Sequence, residues 1–250
     1  MAEDVTALER IRRVQQVLNG PPTRQVMLDG LRAATCRIPL PAPRADLPVE
    51  FGQVLAARRS WYRFDAEAPT AENVSSLLRW AVGPQRDVRL PDGSQHRMWM
   101  APSAGGLHSL SIYLVIARGA QLPGGVFRYD AEDHCLQTLR SGEPTAALRS
   151  VLVQPEFAER APMAVVVVAR LDTTLVKYPA RHYRTLHLDA GIAVQNIYLV
   201  AAALGLAGCA VTAFDDQALA ELLRLPDTMF PTVVFPVGRQ PVRPPTRHAS

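Results

Sequence analysis

Apolar residues recur every three to four positions from Asp4 to Asn19, placing Val5, Leu8, Ile11, Val14 and Leu18 on one face of a predicted amphipathic helix that Gly20 and Pro21 end. From Pro21 to Pro48 the periodicity weakens and proline and arginine dominate, which reads as a connecting arm. The chain therefore divides into residues 1–48, helix plus arm, and a compact domain over 49–250. That domain opens with a predicted helix from about Pro48 to Ala57. A second follows from Ala71 to Val82, with Thr70 as N-cap and Val74, Leu77, Leu78 and Ala81 facing inward. Gln85 to Gln95 is polar and holds proline and glycine, so it is expected to be a loop. Short apolar runs then predict strands at Ser111–Ala117, Val126–Tyr129, Cys135–Leu139, Met163–Ala169 and Thr232–Val237, with a helix from Glu143 to Val153 between the third and fourth. Gly191 to Leu204 is apolar nearly all round and predicts a helix buried on most sides. Asp216 to Leu223 predicts another, with Leu219, Leu222 and Leu223 inward. Gly238 onwards reads as a tail rich in proline and arginine. Strands and helices mix without strict alternation, which favours an α+β fold over a doubly wound parallel sheet.

Composition narrows the function classes. With 250 residues and 48% hydrophobic content the chain can bury a sizeable core. The net charge of +4, from 27 basic against 23 acidic residues, is too slight to imply nucleic acid. Lys177 is the only lysine, which marks it out. Cys36, Cys135 and Cys209 are odd in number and far apart, so neither a disulfide framework nor a zinc site is expected, and no metal. The acidic N-terminus lacks the apolar core of a signal peptide, and the longest apolar run, Ile197–Val211, is too short and glycine-broken to cross a membrane. A soluble, cytoplasmic protein is the expectation.

Five segments carry candidate chemistry. Arg58-Arg59-Ser60, with Arg63 close behind, joins guanidinium forks to a hydroxyl, a donor set suited to phosphate, though arginines at a helix end also complement its dipole. Pro102-Ser103-Ala104-Gly105-Gly106 precedes a strand; paired glycines let backbone approach a flat ligand, or simply turn the chain. Lys177-Tyr178-Pro179-Ala180-Arg181-His182-Tyr183-Arg184 follows the most hydrophobic strand and leads into Asp189-Ala190-Gly191. It can hold a proton-transferring pair, or be a basic surface loop. Gly208 to Asp216 reads as a strand turning into a helix, with exposed N–H donors at the turn. The strand Phe235–Val237 ends at Gly238-Arg239. No GxGxxG or Walker sequence is present.

In this order the segments resemble the FMN-dependent nitroreductase superfamily, over roughly Val49 to Arg239. The Lys-Tyr-x-x-Arg-x-Tyr-Arg segment, the Asp-Ala-Gly helix start, Gln195-Asn196 and Ala203-Leu204-Gly205-Leu206 are similar to its azoline dehydrogenase group, the SagB or thiazole/oxazole-oxidase type. The resemblance implies an α+β fold forming an intertwined homodimer with FMN at the subunit interface. It places Arg58, Ser60 and Arg239 on the FMN phosphate, with Arg59 and Arg63 as unranked neighbours. It lays Ser103, Gly105 and Gly106 along the flavin and brings the Ala213 N–H near flavin N5. Lys177 and Tyr178 fall on the pair to which the group's dehydrogenation is ascribed. Two places depart from the superfamily: Gly106 and His108 stand where Pro-Ser-x-x-Asn-x-Gln has its last two polar residues, and Thr228-Met229-Phe230-Pro231 lacks the acidic residue before the final strand.

The implied reaction oxidises a thiazoline or oxazoline in a peptide to the azole, as in the maturation of thiopeptide-like or linear azole peptides. One ring hydrogen leaves as a proton and the other as a hydride to FMN. A lysine serves as the base only when burial or a neighbouring cation lowers its pKa, and Arg181 and Arg184 stand close in sequence. A cyclodehydratase or another peptide-modifying partner is expected alongside the peptide. The first 48 residues are expected to pack on the dimer, with capture of a leader peptide as the alternative. Two other readings stay open: an NAD(P)H-dependent reductase of nitro, quinone or enone substrates, and an inactive scaffold subunit of a peptide-modifying complex.

Overall fold

In a computed structural model, residues 7–19, 36–47, 49–117 and 121–241 are described. In chain order the elements are α1 (Ala7–Leu18), β1 (Arg37–Pro39), α2 (Phe51–Ala57), α3 (Ala71–Val82), β2 (Pro84–Arg89), β3 (Gln95–Trp99), β4 (Leu110–Ile116), β5 (Gly125–Asp130), β6 (Cys135–Ser141), α4 (Thr145–Val151), α5 (Glu156–Arg160), β7 (Met163–Arg170), α6 (Leu171–Thr174), α7 (His182–Ala203), β8 (Leu206–Gly208), α8 (Asp216–Leu223) and β9 (Met229–Arg239). Seven strands form one antiparallel sheet in the order β1-β6-β5-β4-β7-β9-β8. The fold is α+β, as the sequence predicts.

Both faces of the sheet are covered, which explains why its central strands are apolar without interruption. Met163, Val165 and Val167 of β7 point to one face with Leu110, Ile112, Leu114 and Ile116 of β4, under α3 and α7. Ala164, Val166 and Val168 point to the other with Tyr113 and Val115, under α4, α5 and α8. The inward sets predicted for α3 and α8 are all buried. Thr70 caps α3 by accepting from Asn73 N–H at 3.2 Å, and Asp215 caps α8 by accepting from Ala218 N–H at 2.9 Å.

Four expectations need correction. The segment expected to be a polar loop, Gln85–Gln95, is a hairpin of β2 and β3. Its strands are mostly polar, with Val88, Met98 and Trp99 too few to make a clear alternation, but Pro91-Asp92-Gly93 carries the turn: Gly93 has φ +85° and Asp92 accepts from Ser94 N–H at 2.9 Å. Within the stretch expected to be an arm, Arg37–Pro39 pairs with β6 at the sheet edge and Leu40 enters the core; the arm before Cys36 and the tail beyond Pro241 lie outside the described residues. The helix expected from Gly191 begins at His182 and is not buried all round, since Leu188 is 63% and Ile192 41% exposed. The predicted helix Glu143–Val153 stops at Val151, and α5 follows it. In α1 the expected apolar face forms, but Leu8, Ile11 and Val14 are exposed. Among the described residues α7 alone has the length and apolarity of a membrane-crossing helix, yet it packs on α3, β7 and β8.

Candidate functional site

The glycine loop is shaped by backbone conformation and held by α7. Gly105 and Gly106 both adopt φ +66°, a left-handed conformation that glycine takes without the Cβ penalty. The Ser103 hydroxyl closes the turn by donating to the Leu107 carbonyl. Beneath the loop Asp189, 3% exposed, accepts from the Ala104 N–H at 3.2 and 3.3 Å and from the Ser109 hydroxyl at 2.8 Å. From the hairpin side, His96 Nε2 meets the Gly106 carbonyl at 2.9 Å. Further along α7, the Asn196 side-chain amide donates to the Ala81 and Met100 carbonyls at 3.1 and 3.0 Å, fixing the chain that leads into the loop.

Lys177 and Tyr178 stand against this same loop. A Cβ on Gly105 would strike the Tyr178 hydroxyl and lie 3.4 Å from Lys177 Nζ, so glycine is what leaves room for the pair. The backbone N–H groups of both residues donate to the Thr174 carbonyl, at 3.1 and 2.9 Å. The Tyr178 ring lies on the His182 ring with centroids 4.4 Å apart and planes 12° from parallel, and Lys177 Nζ sits 5.4 Å from the Tyr178 centroid. His182 is buried, its Nε2 has no hydrogen-bond partner, and desolvation lowers its pKa against an opposing pull from Asp189. Lys177 itself is exposed in the single chain, so the burial that would lower a lysine pKa is not supplied by its own domain.

The other candidates gather elsewhere. Arg58 lies 5.4 Å above the Tyr198 ring and Arg59 3.9 Å above Trp61. The Tyr198 hydroxyl joins the Ser60 hydroxyl at 3.0 Å and accepts from the Ala210 N–H at 2.7 Å. Trp61 N–H donates to the Gly208 carbonyl at 3.0 Å, and Asp65 N–H to the Arg239 carbonyl at 3.0 Å. The Arg58–Asp65 stretch is thus laid along the β8–β9 end of the sheet. Gly208 and Gly238 permit that approach, since side chains there would overlap Phe235 and Phe64. Ala213 follows Ala210 on an exposed turn. Among the described residues neither Arg58 nor Arg59 is paired with a carboxylate, whereas Arg239 is paired with Glu67.

The sequence candidates therefore form two groups. Ser103, Gly105, Gly106, Lys177 and Tyr178 make one; Arg58, Arg59, Ser60, Ala213 and Arg239 make the other. Their anchors on α7, Asp189 and Tyr198, are nine residues apart, about 180° around the helix and roughly 13 Å along it. The helix stands between the two groups. Sequence reasoning did not give roles to Asp189, Tyr198, His96 or His182. Asp189 had a signal, as a carboxylate inside an otherwise apolar helix; the others had none short of the fold. Close to the loop, a pocket is lined by Val82, Trp99, Ser103, Leu107, His108 and Ile112 among others, with the His108 ring stacked on Trp99 at 3.9 Å. Desolvation, aided by the charge of Arg170, lowers the pKa of the His108 imidazole to about 4, although the residue as a whole is exposed in the single chain.

A model of the nitroreductase family matches residues 55–239, and the chain belongs to that family of oxidoreductases. It is 28% identical over 192 residues to a Methanocaldococcus jannaschii protein assigned as a nitroreductase, covering 77% of this chain and 92% of that one. A solved structure of a Ralstonia eutropha protein with the same assignment superposes with a TM-score of 0.68 at 26% identity, covering 89% of this chain and 99% of the other. A chain of the Escherichia coli microcin synthetase McbBCD complex, solved with truncated pro-MccB17 bound, superposes at 0.63 with 20% identity, covering 96% and 84%, a likeness of fold.

Proposed function

We propose that the protein is an FMN-dependent azoline dehydrogenase acting on a thiazoline- or oxazoline-containing peptide. The observation that carries the reading is the placement of the chain's only lysine, with Tyr178, against the bare backbone of Gly105. A proton-accepting group beside a loop that a flat ring can approach is what removal of a ring proton needs. The residues fit FMN. Arg58 and Arg59 offer guanidinium donors that no carboxylate among the described residues neutralises, Ser60 adds a hydroxyl, and Gly105 and Gly106 present a face free of side chains. Arg239 is held by Glu67 through one guanidinium nitrogen and keeps its other N–H groups to donate to the phosphate. Because α7 separates the two groups, a single flavin touching both takes one from each of two chains, which supports a homodimeric site. Closure by the second chain would also cover Lys177.

Bound FMN supplies the hydride acceptor. Lys177 takes the proton from the adjacent ring carbon, Tyr178 holds the lysine and the ring in register, and Asp189 keeps the loop from moving as the product flattens. The fold likeness to a chain of a synthetase complex solved with a pro-peptide supports a peptide substrate and a peptide-modifying partner such as a cyclodehydratase. Incubating the FMN-loaded protein with a thiazoline peptide should lower the peptide mass by two hydrogens. The nitroreductase assignments of its relatives favour a second reading, reduction of nitro, quinone or enone compounds by NAD(P)H. An unchanged peptide together with rapid NADPH bleaching of the flavin would establish that reading instead.

A further inference from the structure

Among the described residues, His182 is the one buried titratable side chain at the loop that the proposed chemistry leaves unused. Its ring is 6% exposed, and Nε2 is enclosed without a hydrogen-bond partner. An enclosed, unpaired nitrogen is unfavourable, and no hydrogen bond at that end fixes the ring. What fixes it is contact: the near-parallel stack on Tyr178 at 4.4 Å and 12°. The backbone N–H of His182 donates to the Pro179 carbonyl at 2.9 Å, and that of Tyr178 to the Thr174 carbonyl at 2.9 Å. The two rings, four residues apart across the start of α7, are thus carried on rigid backbone at both ends. His182 and Asp189 are seven residues apart, two turns along one face of α7. Asp189 holds the glycine loop at Ala104 and Ser109, and His182 backs the phenol that abuts Gly105. The loop and the reactive pair are set from one helix face, at two points.

We infer that His182 is a positioning residue that works as a flat spacer, its stacked ring setting the Tyr178 hydroxyl, and with it Lys177, against Gly105. It deepens the azoline-dehydrogenase reading, and its kinetic arm rests on that reading, whereas its spectroscopic arm does not. The test uses the full chain with tyrosine rings labelled for NMR, in wild type, His182→Ala and His182→Phe. The chain has six tyrosines, and the Tyr178 resonance is identified by its loss in Tyr178→Phe. In wild type that resonance should carry the upfield displacement of a ring lying over another ring. It should lose it in His182→Ala and keep it in His182→Phe. In azole formation, His182→Ala should lower kcat by roughly 10- to 100-fold with KM and FMN content unchanged, the scale of a small misplacement of reacting groups. His182→Phe should recover to within a few-fold of wild type. Because the phenyl ring removes the unpaired nitrogen, its Tm should match or exceed that of wild type. A Tyr178 resonance that does not move in His182→Ala overturns the inference, as does wild-type kcat in that variant or a His182→Phe variant as impaired as His182→Ala. If no azole forms even with wild type while the resonances behave as described, the spacer stands and the reaction reading falls.

Discussion

Lys177 and Arg58 are both cations on the candidate site, but the structure gives them different neighbours and so different expected losses. Lys177 faces the glycine loop beside Tyr178, whereas Arg58 sits over Tyr198 on the far side of α7. Lys177→Ala and Tyr178→Phe are therefore expected to keep FMN and lose azole formation by about 10²–10⁴-fold, the usual contribution of a positioned general base. Arg58→Ala should release FMN and regain part of its turnover when the flavin is in excess. Turnover of the variants at saturating FMN separates the roles. Rescue of Lys177→Ala by flavin would make Lys177 a cofactor ligand, and wild-type turnover would remove it from the chemistry. The residue types were legible in the sequence because Lys177 is unique and Arg58-Arg59-Ser60 is compact. What held them was not, because Asp189, Tyr198 and Asn196 act through contacts with residues tens of positions away.

Elements with a continuous apolar run or a single apolar stripe were readable for a direct reason: β4, β7, α3 and α8 are covered on the faces their patterns predict. The β2–β3 hairpin and β1 were not, since their order comes from polar pairing at the periphery rather than from burial. Next to β1 lies a network that makes this edge sensitive to acid. The Ser75 hydroxyl donates to the Pro41 carbonyl at 2.6 Å, so His134 Nε2 must donate to Ser75 Oγ at 2.7 Å. His134 Nδ1 is then the acceptor for the Tyr129 hydroxyl at 2.8 Å. A proton on Nδ1 would remove this acceptor, and the Tyr129 hydroxyl would have to turn its own hydrogen away and accept instead. Burial, helped by the charge of Arg79, accordingly lowers the His134 pKa. A histidine whose folded-state pKa lies below the ordinary 6.5 or so contributes its full stability above that value and loses it as pH falls towards the folded pKa. Protection of the Leu40 N–H, which donates to the His134 carbonyl, should fall in hydrogen exchange between pH 7 and pH 5. His134→Asn tolerates the local φ of +47° and should show a flatter pH dependence. Equal pH dependence in the two proteins would place the acid sensitivity in another residue.

At the scale of the whole molecule, the two halves of the site and the exposed apolar side chains lead to the same expectation. Phe51 and Leu55 of α2 are 65% and 47% exposed, Leu188 and Ile192 of α7 are 63% and 41% exposed, and the two helices pack on each other. Large apolar side chains clustered on one surface of a chain mark an interaction site. The glycine loop with Lys177 lies on one side of α7 and the arginine group on the other, so a flavin that meets both needs a second copy to bring the missing half. The protein is expected to be a homodimer that binds one FMN per chain, and its flavin should dissociate over the same dilution range as the dimer. Ile192→Asp places a charge at the proposed contact without touching either half of the site. It should yield a monomer by light scattering that has lost its flavin absorbance, while circular dichroism still reports a folded chain. Wild type behaving as a monomer with a full complement of FMN would overturn the two-chain site. It would also require the arginine group and the glycine loop to serve different ligands, because no flavin can pass through the helix that separates them.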